Sequence, residues 1–295
     1  MDKIYSICGK IIDKFIDTDS IKEVYHYTSL DGLQSILKNK SVWFSDLDFL
    51  NDTSEMEYGL TMIRKYLDEN SNNYDNNFIQ KLERLCATNK SDYLQLKETL
   101  KSAYYVMSFS IDEDSLPMWY YYTKDKEHKG CNIKFNKDLL MNSIKNLQNF
   151  KENCIFGKVL YDESEQLNII KKLFDKIYPI YQKENQKNEI LSQFVVCLHL
   201  LAVFMKTKCF DVEKEYRLVF RTVDKFDKVK VNFRNSNSLL IPYLDLKFCP
   251  HCISKITLSP SVQNQILKVG ILKLLAEYEY SKNIEIGYSN IPLRY

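Results

Sequence analysis

The chain has 295 residues, of which 45% are hydrophobic and 27% are charged, and its formal net charge is +2. This balance is ordinary for a globular protein that buries a sizeable core, and it argues against a broad basic surface for nucleic acid. No apolar stretch is long enough to span a bilayer and the first residues lack a signal-peptide core, so we expect a cytoplasmic protein without a membrane partner.

The hydrophobic pattern predicts helices and strands in an irregular order. In the first half we expect a helix over 3–17, a strand at 23–28, a helix capped by Ser29, a strand at 42–45, helical segments over 54–101, a strand at 104–110, an aromatic helix at 116–122 and a strand at 130–135. In the second half we expect strands at 155–161, 212–220, 229–233, 239–244, 253–258 and 284–288, with helices at 163–182, 186–208 and 261–278.

This order predicts an α+β fold rather than a regular alternation of strands and helices. We expect one elaborated domain over residues 1–295, built on a central mixed sheet. Two segments rich in helical pattern, 54–102 and 163–208, are predicted to be helical insertions between strands.

The cysteines do not predict a disulfide or metal framework. The 8 Cys are scattered, which is typical of reduced thiols in a cytosolic chain. Cys249 and Cys252 have the CxxC spacing, but the strand-like segment 253–258 follows them instead of a helix, and no second CxxC completes a zinc site. A turn between two strands is therefore expected here.

The segment 212–220 carries the most suggestive polar pattern. Side chains at i and i+2 share a face of a strand, so Glu213, Glu215 and Arg217 are predicted to project the same way. Neighbouring carboxylates repel each other, which raises the pKa of one of them and suits acid–base work or the stabilisation of a developing cation. The alternative is a solvated strand face on which Arg217 neutralises a glutamate.

Among the four histidines, His26 differs from the others because its strand leads directly into a capped helix. A polar ring at such a strand end can bind the ribose or phosphate of a ligand, and the alternative is a hydrogen-bonded structural histidine. His199 is expected in the core and His128 in solvent. The sequence contains no P-loop, dinucleotide-binding, zinc-protease or serine-hydrolase motif.

Two resemblances join these residues. The opening Tyr25-His26-Tyr27-Thr28-Ser29-Leu30, followed by Trp43-Phe44-Ser45, resembles that of ADP-ribosyltransferase domains. The chain also resembles an uncharacterised bacterial family of unknown function. That resemblance is carried by the His-Tyr opening, Asn51-Asp52, Ser108-Phe109-Ser110, Trp119 with Tyr122, Gly130-Cys131 before Phe135, and Glu213-x-Glu215-x-Arg217.

The resemblance to ADP-ribosyltransferases implies a mainly antiparallel sheet of that type and NAD as the substrate. It implies that Glu215 stabilises the oxocarbenium-like cation formed when nicotinamide leaves, and that Glu213 activates an acceptor. An aromatic ring, Tyr120 or Tyr121, would stack on nicotinamide. The implied cofactor-binding residues are His26, Tyr27, Thr28, Ser108, Ser110, Trp119, Tyr120, Tyr122 and Arg217.

The implied role is an NAD-consuming toxin or antiviral effector that modifies an unknown protein or nucleic acid, without a metal. Two alternatives stay open. Asp46, Asp48 and Asp52 with the two glutamates would suit a metal-dependent nuclease. A non-catalytic sensor that binds a nucleotide is the other alternative.

Overall fold

A computed structural model describes residues 3–16, 20–50, 55–85, 102–123, 129–148, 154–223, 230–236, 238–262 and 264–292. The residues Asn51 and Asp52, the segment 86–101 and His128 lie outside this part of the chain. No helix in the described residues is both long and apolar enough to cross a membrane.

A ten-stranded mixed sheet forms the centre of the described structure. Neighbouring strands pair antiparallel, apart from the parallel pair β9–β10. The strand order is β10-β9-β4-β1-β3-β2-β8-β7, and β6 joins β3 and β5. The strands are β1 (Glu23–Ser29), β2 (Ser41–Asp46), β3 (Ser102–Ser110), β4 (Gly130–Asn136), β5 (Cys154–Lys158), β6 (Glu215–Val223), β7 (Val231–Ser236), β8 (Leu239–Lys247), β9 (Ile253–Leu258) and β10 (Glu285–Tyr288).

The sheet forks at β3. Strand β6 pairs with β3 along its whole length, so β1 and β2 both lie on the opposite edge of β3. Strand β1 meets that edge at Tyr25–Ser110, whereas β2 meets it at Ser45–Val106 and Asp46–Tyr105. The two strands therefore diverge from each other beside the carboxyl-terminal half of β3.

Helices cover both faces of the sheet and bury two large apolar cores. One core joins α1, α3, α4, α7 and α8 to the sheet residues Val106 and Val219. The other joins α2, α6 and α9 to Phe109 and Leu218. The helices are α1 (Lys3–Ile16), α2 (Leu30–Asn39), α3 (Glu55–Asn70), α4 (Asn76–Leu85), α5 (Leu116–Tyr122), α6 (Lys137–Gln148), α7 (Glu163–Lys183), α8 (Lys187–Ala202) and α9 (Gln265–Glu277).

Local signals account for several element boundaries. Ser29 caps α2 by accepting a hydrogen bond from the Gly32 backbone N–H at 3.0 Å, as its position before the helix predicts. Cys249 precedes and Cys252 ends a single 3-10 turn between β8 and β9, and both are free thiols, which agrees with the expected turn between strands.

Three of the differences from the sequence prediction have a cause in the local structure. The helix expected over 186–208 ends at Ala202, because the chain turns at Val203 and forms a β-bridge between Met205 and Leu160. Helix α6 was not predicted, although Asn136 caps it by accepting from the Leu139 N–H at 2.9 Å. Strand β6 begins at Glu215 rather than at residue 212, because Lys214 adopts a left-handed conformation with φ of 42°.

Candidate active site

Two carboxylates and one ammonium meet at the start of β6. The Lys206 Nζ lies 2.7 Å from Glu213 Oε2 and 3.5 Å from Glu215 Oε2. The bridge between Leu160 and Met205 places Lys206 there, directly after the apolar end of α8. All three side chains are buried, so these charges interact in surroundings with little water.

Arg217 holds Glu215 through both of its oxygens. The Arg217 Nε donates to Glu215 Oε1 and Nη2 donates to Oε2, each at 2.8 Å, while Nη1 donates to the Val203 carbonyl at 2.5 Å. A guanidinium that binds a carboxylate in this bidentate way fixes its orientation as well as its charge. Arg217 is completely buried, so the pair is a rigid part of the sheet.

Glu215 is ionised at neutral pH. Burial by itself raises the pKa of the Glu215 carboxyl. The charge and hydrogen bonds of Arg217, the charge of Lys206 and a hydrogen bond from Ser108 outweigh burial, so the pKa falls below the usual value of 4.5. Repulsion between Glu213 and Glu215 does not raise the pKa of Glu215, because Lys206 and Arg217 compensate both charges.

Glu213 reaches the same cluster from a different element. It ends the 3-10 turn Lys208–Glu213, so its position does not follow from strand alternation as the sequence predicted. The Tyr122 hydroxyl donates to Glu213 Oε1 at 2.9 Å, and the Ser110 hydroxyl donates to the Glu213 carbonyl at 2.8 Å. Tyr122 and Lys206 together fix the Glu213 carboxylate from its two oxygens.

The two serines of β3 lie beside the cluster, as their register requires. Ser110 is opposite Glu215 and Ser108 is opposite Arg217 on the paired strands β3 and β6. The buried Ser110 hydroxyl also accepts from the Asp112 N–H at 3.1 Å. Ser110 therefore supports the turn after β3, whereas Ser108 contacts Glu215 itself.

The aromatic residues of α5 separate into buried and exposed rings. Trp119 is 1% exposed, and its ring centroid lies 4.7 Å from that of Tyr27 in an edge-to-face contact. Tyr120 and Tyr121 are 62% and 60% exposed, with ring centroids 5.5 Å apart. Trp119 and Tyr27 pack the helix onto β1, while Tyr120 and Tyr121 expose their rings to solvent.

Tyr27 and Thr28 lie beneath α5 and α2, respectively. The Tyr27 hydroxyl donates to the Asp112 carbonyl at 2.8 Å and accepts from the Ser115 N–H at 3.0 Å. Thr28 is half-buried, and a side chain at Gly32 would collide with its Oγ1. Both residues shape the end of β1 that leads into α2.

His26 lies at the fork, where its Nδ1 is 3.2 Å from the Ser108 carbonyl oxygen. A carbonyl only accepts, so Nδ1 carries the proton and Nε2 is left as an acceptor. Burial lowers the pKa of His26 to about 4, partly offset by the Ser108 hydrogen bond. The ring is therefore neutral at pH 7.

The register places His26 and Glu215 on different faces of the sheet. Tyr25 is opposite Ser110, and Ser110 is opposite Glu215, so these three side chains share one face. His26 and Phe109 are the neighbours of Tyr25 and Ser110 and therefore lie on the other face, where their ring centroids are 6.0 Å apart. Strand β3 separates the two residues, and each contacts Ser108. The structure thus brings them to one region without placing them side by side.

Within the described residues, no group of three or more His, Cys, Asp or Glu side chains is arranged to hold a metal ion. The Asp46 carboxylate instead accepts from the Asp48 backbone N–H at 3.1 Å.

Two residues of this region were missed by the sequence analysis. Lys206 joins the carboxylates, and the Tyr161 hydroxyl accepts from the Glu215 backbone N–H at 3.0 Å. Lys206 gives a local signal, since it is a charged residue directly after a long apolar run. Tyr161 gives none, because an isolated tyrosine after a strand is compatible with many environments.

Comparisons with known proteins give one family match and one structural match. A family model described as "Protein of unknown function (DUF2971)" matches residues 118–218, about a third of the chain, and includes most of α5 and the Glu213–Arg217 segment. No curated protein matches the chain. A solved structure that matches is "Thermus sp. 2.9 DarT in complex with NAD+", with a TM-score of 0.33 and 10% identity over 92% of this chain and 97% of that chain.

The family match confirms the resemblance to an uncharacterised family. Over residues 118–218, which hold most of the aromatic helix and both glutamates of the cluster, this chain is similar to a family whose function is unknown.

Proposed function

We propose that this chain binds NAD and cleaves its nicotinamide–ribose bond, passing ADP-ribose to a macromolecular acceptor or to water. One observation carries the proposal. Glu215 is a buried, ionised carboxylate held by Arg217, and a second carboxylate, Glu213, shares the Lys206 ammonium with it. The sequence resemblance to ADP-ribosyltransferases assigns chemistry to the same two glutamates.

Glu215 suits the stabilisation of a developing cation. Departure of nicotinamide leaves positive charge on the anomeric carbon of the ribose, as in glycoside cleavage. A carboxylate whose position is fixed beforehand stabilises this charge without reorganisation. The two hydrogen bonds from Arg217 occupy one lone pair on each oxygen of the Glu215 carboxylate. A ribose hydroxyl would replace the hydrogen bond that Ser108 now makes to Glu215.

Glu213 suits activation of the acceptor. A base must be held in place and be able to take a proton from the attacking group. Lys206 and the Tyr122 hydroxyl hold its two oxygens in the absence of ligand. Tyr122 belongs to α5 and is half-buried. We therefore propose that the acceptor, when it binds, displaces the Tyr122 hydroxyl from Glu213.

The remaining contacts would position NAD around the fork of the sheet. His26 offers Nε2 as an acceptor for a ribose hydroxyl. Tyr120 and Tyr121 expose rings on which nicotinamide or adenine would stack. Tyr27 and Trp119 would act through packing, because their polar groups already have partners within the protein.

The test is nicotinamide release and transfer of labelled ADP-ribose by the wild type, Glu215→Gln and Glu213→Gln. Removing one preorganised electrostatic group typically lowers the rate by about 10²–10³. We expect that loss of nicotinamide release in Glu215→Gln, with NAD affinity by calorimetry nearly unchanged. We expect Glu213→Gln to retain slow release and to lose transfer.

Glu165→Gln is the matched control, because Glu165 makes an ion pair with Lys158 that is half-exposed and includes no residue of the cluster. The Lys158 Nζ lies 3.3 Å from Glu165 Oε1. It should retain both activities. Thermal unfolding of every variant ensures that assays are run on folded protein, and a chelator should have no effect.

Other outcomes would contradict the proposal. NAD binding without nicotinamide release by the wild type would favour the non-catalytic sensor. Metal-dependent cleavage of nucleic acid without nicotinamide release would favour the nuclease. The proposed role as a toxin or antiviral effector predicts growth arrest on expression of the wild type and normal growth with Glu215→Gln.

A further inference from the structure

A second cluster of aromatic and polar side chains lies on strands β2, β8 and β7, away from Glu215. The ring centroids of Trp43 and Tyr243 are 4.5 Å apart at an interplanar angle of 35°. The Arg234 guanidinium lies 5.8 Å from the Trp43 ring centroid and donates to the Ser45 hydroxyl at 2.9 Å. We call Trp43, Tyr243, Arg234 and Asp245 the aromatic platform.

The register places these residues on one face of the sheet. Trp43 is opposite Asp245, and Ser45 is opposite Tyr243. Because alternate residues share a face, Trp43 and Ser45 point the same way, together with Tyr243 and Asp245. Trp43 is 37% exposed, so part of the indole ring is open to solvent.

The aromatic platform also holds unused hydrogen-bonding groups. Among the described residues, neither Arg234 Nε nor Asp245 Oδ1 has a hydrogen-bond partner, although both atoms are buried. A buried donor or acceptor without a partner carries a cost in stability. A ligand that supplies an acceptor for Arg234 and a donor for Asp245 removes that cost.

We propose that the aromatic platform binds a nucleobase, carried by a free nucleotide or by a single-stranded nucleic acid. A nucleobase has a planar π-face that stacks on Trp and Tyr rings, and an edge that presents both donors and acceptors. The arginine and the carboxylate match such an edge. A shift of the Arg234 and Trp43 side chains on binding exposes the two buried atoms to the ligand.

Calorimetric titration of the full chain tests this site with three probes: AMP, ribose 5-phosphate and a short single-stranded oligonucleotide. We expect AMP to bind with saturation and ribose 5-phosphate, which has no base, not to bind. An oligonucleotide that binds much more tightly than AMP identifies nucleic acid as the source of the base. Equal affinity identifies the free nucleotide.

Variants locate the site. Base–aromatic stacking contributes about 1–3 kcal/mol, so Trp43→Leu should weaken AMP binding by about 5- to 150-fold. Arg234→Met should also weaken it. Phe233→Leu is the matched control, because Phe233 is 64% exposed on the same strand as Arg234 but on the opposite face, and binding should be unchanged.

Three results would overturn the proposal. The first is that neither AMP nor the oligonucleotide binds saturably at millimolar concentration. The second is that ribose 5-phosphate binds as well as AMP. The third is that a folded Trp43→Leu protein binds AMP with unchanged affinity. The proposal does not depend on NAD cleavage, because Glu215→Gln should bind AMP at the aromatic platform as the wild type does.

Discussion

Replacing Arg217 with methionine tests whether the Glu215 pair is a buried, compensated charge. Arg217 is completely buried and Glu215 is 7% exposed, with two hydrogen bonds of 2.8 Å between them. In Arg217→Met the carboxylate keeps Lys206, 3.5 Å away, but loses both bonds. Removing one partner of a buried ion pair typically costs about 3–5 kcal/mol, and we expect a loss of unfolding free energy in that range.

The double variant separates the pair from its surroundings. Arg217→Met with Glu215→Leu removes both charges and leaves Lys206 paired with Glu213 at 2.7 Å. The double variant should therefore be less destabilised than the sum of the single variants. The coupling energy should lie near the upper end of the about 0.5–3 kcal/mol measured for contacting residues.

Urea unfolding at pH 7 measures these differences. Lys158→Met, which breaks the half-exposed pair with Glu165, is the control and should cost at most about 1 kcal/mol. If Arg217→Met costs no more than this control, the Glu215–Arg217 pair is not held in a dry interior, and the argument for a preorganised carboxylate fails.

Three further predictions concern acid stability, the protonation of His26 and helix packing. The folded pKa of Glu215 lies below its usual value of 4.5, so the ionised carboxylate stabilises the fold fully at neutral pH. This contribution is lost as pH falls from about 4.5 towards the folded pKa. The unfolding free energy should therefore fall less steeply across this range for Glu215→Gln than for the wild type. The pKa of His26 is about 4 in the folded protein and 6.5 in the unfolded chain, so His26 should destabilise the fold as pH falls from 6.5 to 4. The NMR signals of its ring protons should show the neutral form at pH 6.5. A Cβ at Gly59 would lie 2.6 Å from the Cα of Ala202, so Gly59→Ala should lower the unfolding free energy by about 1–3 kcal/mol, as measured by denaturant unfolding. A Cβ at Gly270 would have no atom within 4 Å, so Gly270→Ala should stabilise α9 by up to about 1 kcal/mol.

The sequence determined those elements whose signals are local. Strand β9 occupies 253–258 as predicted, and Ser29 caps α2, because alternating apolar residues and capping side chains act over a few neighbouring residues. The same local reasoning identified Glu213 and Glu215 as neighbours. It failed at Lys214, where a left-handed backbone breaks the strand alternation that the prediction assumed.

Only the tertiary structure decided the electrostatics of the cluster. The sequence shows two glutamates close together, which by themselves repel. The pKa of Glu215 is lowered instead, because the turn after α8 brings Lys206 to both carboxylates and the strand holds Arg217 against Glu215. The placement of His26 across β3 from Glu215 likewise follows from strand pairing. Contacts between residues distant in the chain depend on the packing of the whole sheet, which no local pattern encodes.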